Sequence, residues 1–295
     1  MNRRDVLDMF LLSAFWGASF LLIRYSGEVF PPVWVALLRS AFGALVLTGA
    51  LRLGGHALPP ARLWRPLLLV ALFNNVIPWS FFAWGEQTVS SNIAAIINAT
   101  TPLFALLIGL TLRDTRVRGV MLAGVLLGLG GVALTVSGGL GGGHATAHGV
   151  IVLLLASLGY AVATTIAKRS LSGLNPVGLA TTQLGLSAAV LLPVALAGPH
   201  PAALTAKATL AVAFLGVVGS GLAYLLYYGL LARVTPTQVT AVTYALPVWG
   251  LGWAALAGEP LGWVSVTGVL VVLSGLGLLN FPPRAPRADV PARQT

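Results

Sequence analysis

Three times in this sequence a proline follows a polar residue by four positions inside an apolar run: Asn74 and Pro78, Asn98 and Pro102, Thr243 and Pro247. Proline has no N–H, so the carbonyl four residues earlier loses its helical partner. In each case that carbonyl sits on a residue that also bears a polar side chain. Backbone and side chain then present polar atoms together, which suits the binding of a small polar solute. The plainer reading is a proline kink whose polar neighbour closes the gap internally. Aromatic residues accompany these pairs at helical spacing. Trp16 with Phe20, Asn75 with Trp79 and Phe82, and Ser220 with Tyr224 and Tyr228 each share a face, which points to a ring-walled pocket. Arg39 lies seven residues past Pro32, about 10 Å into its helix at 1.5 Å per residue. It either clamps a substrate carboxylate or snorkels toward headgroups.

The missing residue types narrow the chemistry. All seven acidic residues (Asp5, Asp8, Glu28, Glu86, Asp114, Glu259, Asp289) fall in termini or at the ends of apolar runs, and the four histidines fall in connections. Ser/His hydrolysis and metal proteolysis both lack their residues, so no enzyme, metal or cofactor is expected. The reading is a neutral site with no buried titrating carboxylate, and hence facilitated uniport.

The elements that position these residues are membrane helices. Hydrophobic residues make up 57% of the chain and charged residues 8%, and apolar runs of about 20 residues recur, each enough to cross a ~30 Å core. Ten spans are expected: Leu7–Ile23, Trp34–Leu53, Leu67–Ala83, Asn92–Leu112, Val117–Val136, Gly149–Ala167, Pro176–Ala197, Ala208–Leu230, Thr237–Ala257 and Gly262–Phe281. The net charge of +10 invites a nucleic-acid reading, but its placement is one-sided. With the amino terminus inside, Arg3, Arg4, Arg52, Arg62, Arg65, Arg113, Arg116, Arg118, Lys168, Arg169, Arg233, Arg284, Arg287 and Arg293 are cytoplasmic, and only Arg24 and Lys207 lie outside. That is a positive-inside pattern with both termini cytoplasmic, and it argues against nucleic acid. The bilayer of the inner membrane is the expected setting.

The chain also repeats itself. GVLLGLGG from Gly124 returns as GVLVVLSG from Gly268, Pro102 returns as Pro247, Arg39 matches Gln183, Asn75 matches Ser220, Trp79 matches Tyr224 and Asp114 matches Glu259. Each copy holds five spans. Five is odd, so the second copy enters the membrane inverted, as in alternating-access carriers. The expected units are residues 1–147, with a Gly-rich linker at 137–148, and residues 148–283, followed by a disordered cytoplasmic tail at 284–295. Gly124, Gly128, Gly131, Gly268 and Gly275 suit close helix approach, either within the chain or in a homodimer; a monomer is equally compatible. With no cysteine, disulfides and thiol chemistry are excluded.

Two five-helix copies, a glycine-rich fifth helix, an acidic residue after the fourth helix (Asp114, Glu259) and mid-helix prolines together resemble the EamA family of the drug/metabolite transporter superfamily. Within it, the chain is similar to the YddG-type exporters of aromatic and other neutral amino acids. The resemblance implies an all-α basket of ten membrane helices around a central cavity, with helices five and ten as peripheral supports. Cavity roles carry over to Asn75, Pro78, Trp79, Asn98, Ser220, Tyr224, Thr243 and Tyr244, beside Trp16 and Arg39 from the reading above, with Pro102 and Pro247 as hinges. The expected function is export of amino acids and related small metabolites by alternating access. A broader drug or nucleobase exporter, or a non-transporting membrane scaffold, are the alternatives.

Overall fold

The computed structural model describes residues 2–113, 119–234, 236–259 and 261–279, so Asp114 and the expected tail lie outside the described residues. The described residues form helices and turns without a strand. They are α1 (Arg3–Gly27), α2 (Pro32–Leu53), α3 (Trp64–Ala71), α4 (Ile77–Gly85), α5 (Ser91–Asn98), α6 (Thr101–Thr111), α7 (Gly119–Gly141), α8 (Ala147–Ser170), α9 (Pro176–Ala197), α10 (Ala206–Gly216), α11 (Ala223–Leu231), α12 (Pro236–Leu256) and α13 (Trp263–Leu279). Three spans are compound. A π-helical segment, Leu72–Val76, joins α3 to α4, a second, Val217–Leu222, joins α10 to α11, and α5 and α6 form one interrupted span. Among the described residues this gives eight segments long and apolar enough to cross a membrane and two shorter apolar ones, Val242–Leu256 and Trp263–Leu279, ten in all.

Local sequence sets the helix starts. Asn2 and Asp5 form a reciprocal capping box on α1, with Asn2 Oδ1 accepting from the Asp5 N–H at 2.9 Å and Asp5 Oδ2 accepting from the Asn2 N–H at 3.2 Å. Thr146, Asn175 and Thr205 cap α8, α9 and α10 through their side-chain oxygens. Pro32 and Pro176 open α2 and α9, where a missing N–H costs nothing.

Contacts between distant ends fix the up-and-down order. Arg233, after α11, pairs with Asp5 at 2.9 Å and with Asp8, at the end bearing most of the basic residues. At the other end Arg24 pairs with Glu259 at 2.9 Å, Ser91 Oγ donates to Glu259 Oε1 at 2.7 Å, and Lys207 pairs with Glu28 at 2.6 Å. Leu45, Leu126, Ile151, Leu210 and Leu270 stay exposed on the outer faces, where lipid replaces water and exposure carries no penalty.

The connection between the copies is shorter than the expected 137–148, because α7 runs on to Gly141 and residues 142–146 lead to α8. Gly138 and Gly139 sit so tightly that a Cβ would come 2.7 Å from Val264 Cγ1 and 2.5 Å from Ile93 Cδ1 respectively, so packing holds them helical. The glycine faces of α7 and α13 meet each other, the within-chain alternative. A Cβ on Gly131 would lie 2.8 Å from the Gly268 carbonyl oxygen, and one on Gly275 would lie 2.6 Å from the Gly124 carbonyl oxygen.

Candidate functional site

A cavity of about 560 Å³ opens between the two halves of the chain, within the size range of small-molecule sites. Its walls reach exposed Lys168 and the end of α11 at Leu231, so its mouth faces the arginine-rich end. Toward the other end Phe20, Phe82 and Tyr160 close the floor, with Phe20 against Phe82 at 5.6 Å between ring centres and Phe82 stacked on Tyr160 at 6.1 Å.

Arg39 dominates the electrostatics. It is 7% exposed, its guanidinium lies 4.0 Å from the centre of the Trp79 ring, and its Nε donates to Ser220 Oγ at 2.9 Å. Among the described residues it takes part in no ion pair. This decides against snorkelling: the face of α2 that carries Arg39 packs on α9 and on the π segment before α11, not on lipid. The expectation of a neutral site is therefore corrected, since the cavity wall carries a cation while none of its lining residues among those described is Asp, Glu or His. A desolvated cation on a ring gains about 2 kcal/mol, which offsets only part of the cost of burying an unpaired charge. Such a site is electrostatically incomplete without an anion.

The two π-helical segments place the partners. Asn75 lies in the first and Ser220 in the second, both fully buried. Ser220 receives Arg39, and Asn75 Oδ1 receives the amide of Gln183. Arg39 aligns with Gln183 and Asn75 with Ser220 in the internal repeat, so each contact is the counterpart of the other across the two halves. A π turn rotates the following side chains relative to an α-helix and is frequent at functional sites. Here it brings Trp79 and Tyr224, one turn later, to the cavity, where Tyr224 Oη accepts from Asn74 Nδ2 at 3.1 Å.

Of the residues expected to contact substrate, Trp16, Arg39, Trp79, Asn98, Tyr224 and Thr243 line the cavity. Asn75 and Ser220 stand behind the wall as supports. Pro78 does not line it either; it packs 3.1 Å from the Cβ position of Gly159. Tyr244 sits among the core side chains with a buried hydroxyl that has no partner. Asn74, picked out beside Pro78, also lines the cavity, as do Thr101, Tyr160, Gln183 and Tyr227, which were not offered as site residues from sequence. Gln183 is the repeat mate of Arg39, so it had a signal.

The two prolines differ in structure. Pro102 opens α6 after a break in which Ala99 and Thr100 donate to carbonyls only three residues back. Asn98 Oδ1 and Thr101 Oγ1 are left buried without a partner at this break, both at the cavity. Pro247 lies inside a continuous α12. Replacing Pro102 by Ala, which restores an N–H worth ~1 to 1.5 kcal/mol and favours closing the break, is expected to lower solute flux about tenfold. Pro247→Ala should change it less than half as much on a logarithmic scale. Flux per inserted protein in proteoliposomes reads the difference, and equal effects would refute the asymmetry.

One further expectation fails. Glu86, one residue past α4, is 7% exposed, and neither carboxylate oxygen has a partner. Span-end position suggested solvent, but α4 packs there on α8, α2 and α1, and Glu86 faces Arg24 and Glu259 in place of water.

Comparison with known proteins gives a consistent picture. The profile described as "EamA-like transporter family" matches residues 6–137 and again residues 147–281. The chain is 31% identical to the "Uncharacterized inner membrane transporter YedA" of Escherichia coli (strain K12), over 98% of each chain. It is 24% identical to a "Probable amino-acid metabolite efflux pump" of Salmonella typhimurium, over 97% of this chain and 98% of that one. A solved crystal structure, 20% identical, superposes with a TM-score of 0.69 over 95% of this chain and 97% of the other, a likeness of fold.

Proposed function

The chain belongs to the EamA-like transporter family, a multi-pass membrane transporter, and from that premise we propose that it exports amino acids, aromatic and other neutral ones, together with related small metabolites. The observation that carries this reading is Arg39, a buried cation on the Trp79 ring with no acidic partner. A substrate carboxylate completes it by a charge-assisted hydrogen bond. Asn98 Oδ1 and Thr101 Oγ1, buried acceptors without partners, suit an ammonium group. Trp16, Phe20, Tyr160 and Tyr227 supply apolar and ring surface for the side chain. The named efflux pump among the relatives supports the same substrate class.

Transport runs by alternating access of two inverted five-helix halves, residues 1–147 and 148–283, about the interrupted spans. The arginine-rich end, with both termini, faces the cytoplasm of a cell whose inner membrane holds the protein, as the positive-inside pattern supports. Among the described residues the cavity wall holds no carboxylate or imidazole, so the substrate moves down its own gradient as a uniport. Counterflow of a panel of labelled amino acids in proteoliposomes tests the proposal. Exchange of neutral amino acids, with tryptophan and phenylalanine among the best, is expected, as is no accumulation under an imposed pH gradient. Displacement by purines or lipophilic cations but not by amino acids would favour the broader exporter. Absence of counterflow with every solute would overturn the carrier reading.

A further inference from the structure

At the end of the bundle away from the cavity mouth, three buried carboxylate oxygens have no donor among the described residues. Arg24 and Ser91 both serve Glu259 Oε1. Glu259 Oε2 and both oxygens of Glu86 are buried with no partner. An ionised carboxylate only accepts, whereas a protonated one carries an O–H donor. One added proton on Glu86 therefore puts a donor among these acceptors and removes one of the two buried charges.

We propose that Glu86 is a proton-binding site that holds this end of the carrier shut: the end closes with one proton bound at Glu86 and releases it to the same side on opening. The inference rests on the alternating-access reading, because it needs this end to open. It does not depend on which solute is carried.

The groups facing Glu86 from the elements packed around it are few. Arg24 comes from α1, Arg39 from α2, and Glu259 from the segment after α12. From α8, His148 lies edge-on to Trp84 at 5.1 Å between ring centres, and Tyr160 stacks on Phe82. The π segment before α4 brings only the neutral Asn74 and Asn75. Burial, with the Glu259 carboxylate next, pushes the Glu86 carboxyl well above the usual carboxylate range, and the pull of Arg24 and Arg39 does not reverse this. The sign follows. The closed state binds more protons than the open, hydrated one, so closure is fully favoured below the ordinary carboxylate value of about 4.3. It then weakens as pH rises toward the raised value, by at most about tenfold per pH unit. Because the proton returns to the side it came from, it sets the rate of opening and leaves uniport intact.

The chain has no cysteine, so a spin-label pair at exposed Gln87→Cys and Ala257→Cys reports this end alone. In full-length protein in nanodiscs, pulsed electron resonance is expected to show a short distance at low pH and a growing longer population as pH rises. Glu86→Gln should keep the short distance at every pH. Glu259→Gln, which frees Arg24 for Glu86, should move the midpoint to lower pH. Infrared spectra, with no substrate present, should contain a protonated-carboxyl band that disappears on raising pH and is missing in Glu86→Gln. An unchanged pH response in Glu86→Gln, or an infrared band that survives the substitution, would overturn the proposal. If counterflow fails while the infrared band behaves as expected, the fault lies with the carrier reading and not with the proton site.

Discussion

Replacement of Arg39 by alanine is expected to abolish most counterflow of carboxylate-bearing solutes, by about 30-fold to several thousand-fold, the equivalent of about 2 to 5 kcal/mol for a desolvated charge pair. Arg39 is the cation of the cavity's inner wall, buried on Trp79 and tied to Ser220, so no neighbour can take over its charge. Lys168, the other lining cation, is exposed at the mouth. Arg39→Lys should recover only part of the flux, because a lysine ammonium lacks the planar fork that both stacks and donates. Amino-acid amides, which have no carboxylate, should be poor substrates of the wild type and should lose little further in the variant. Stability should move the other way. Arg39→Met removes an unpaired buried charge in favour of an apolar side chain of similar length, so its melting temperature should equal or exceed that of the wild type. Wild-type counterflow in a well-inserted Arg39→Ala protein would remove the carboxylate site.

The second large effect concerns the fold. Gly275→Leu should destabilise the protein by the upper part of the ~1–3 kcal/mol range for overpacking or beyond it, because the obstacle is backbone. A Cβ there would stand 2.5 Å from the Gly128 nitrogen and 2.6 Å from the Gly124 carbonyl oxygen. Gly277→Leu, on the same helix with nothing within 4 Å of its Cβ position, should stay within about 0.5 kcal/mol of the wild type. Thermal denaturation followed by size-exclusion of the detergent-solubilised protein compares the two. Similar melting temperatures would show that α7 and α13 do not depend on direct backbone approach.

The cavity wall divides into residues that periodicity could find and residues it could not. Trp16, Trp79 and Tyr224 were legible because helical spacing puts them on a shared face and membrane helices leave few polar alternatives. Asn98 was legible from its proline. Asn75 and Ser220 have the right chemistry but lie one layer back, since a π turn shifts register and sequence carries no mark for it. Glu86 was misread for a related reason: distance along the chain from a span's centre says nothing about which other helix ends converge on it.

By itself the sequence determined the membrane class, the number and order of spans, the basic end and the family. These depend on one-dimensional quantities: apolar run length against bilayer thickness, charge placement and a repeated order of residues. Only the tertiary structure decided that Arg39 faces the cavity instead of lipid, that Pro102 interrupts its span while Pro247 does not, that the glycines of α7 and α13 serve each other, and that Glu86 is sealed without a partner. The physical reason is common to all four. In a bilayer both faces of a helix can be apolar, so the hydrophobic pattern that would point a soluble helix inward is silent. Which face meets a neighbour is then settled by shape and by the few polar contacts between helices distant in sequence.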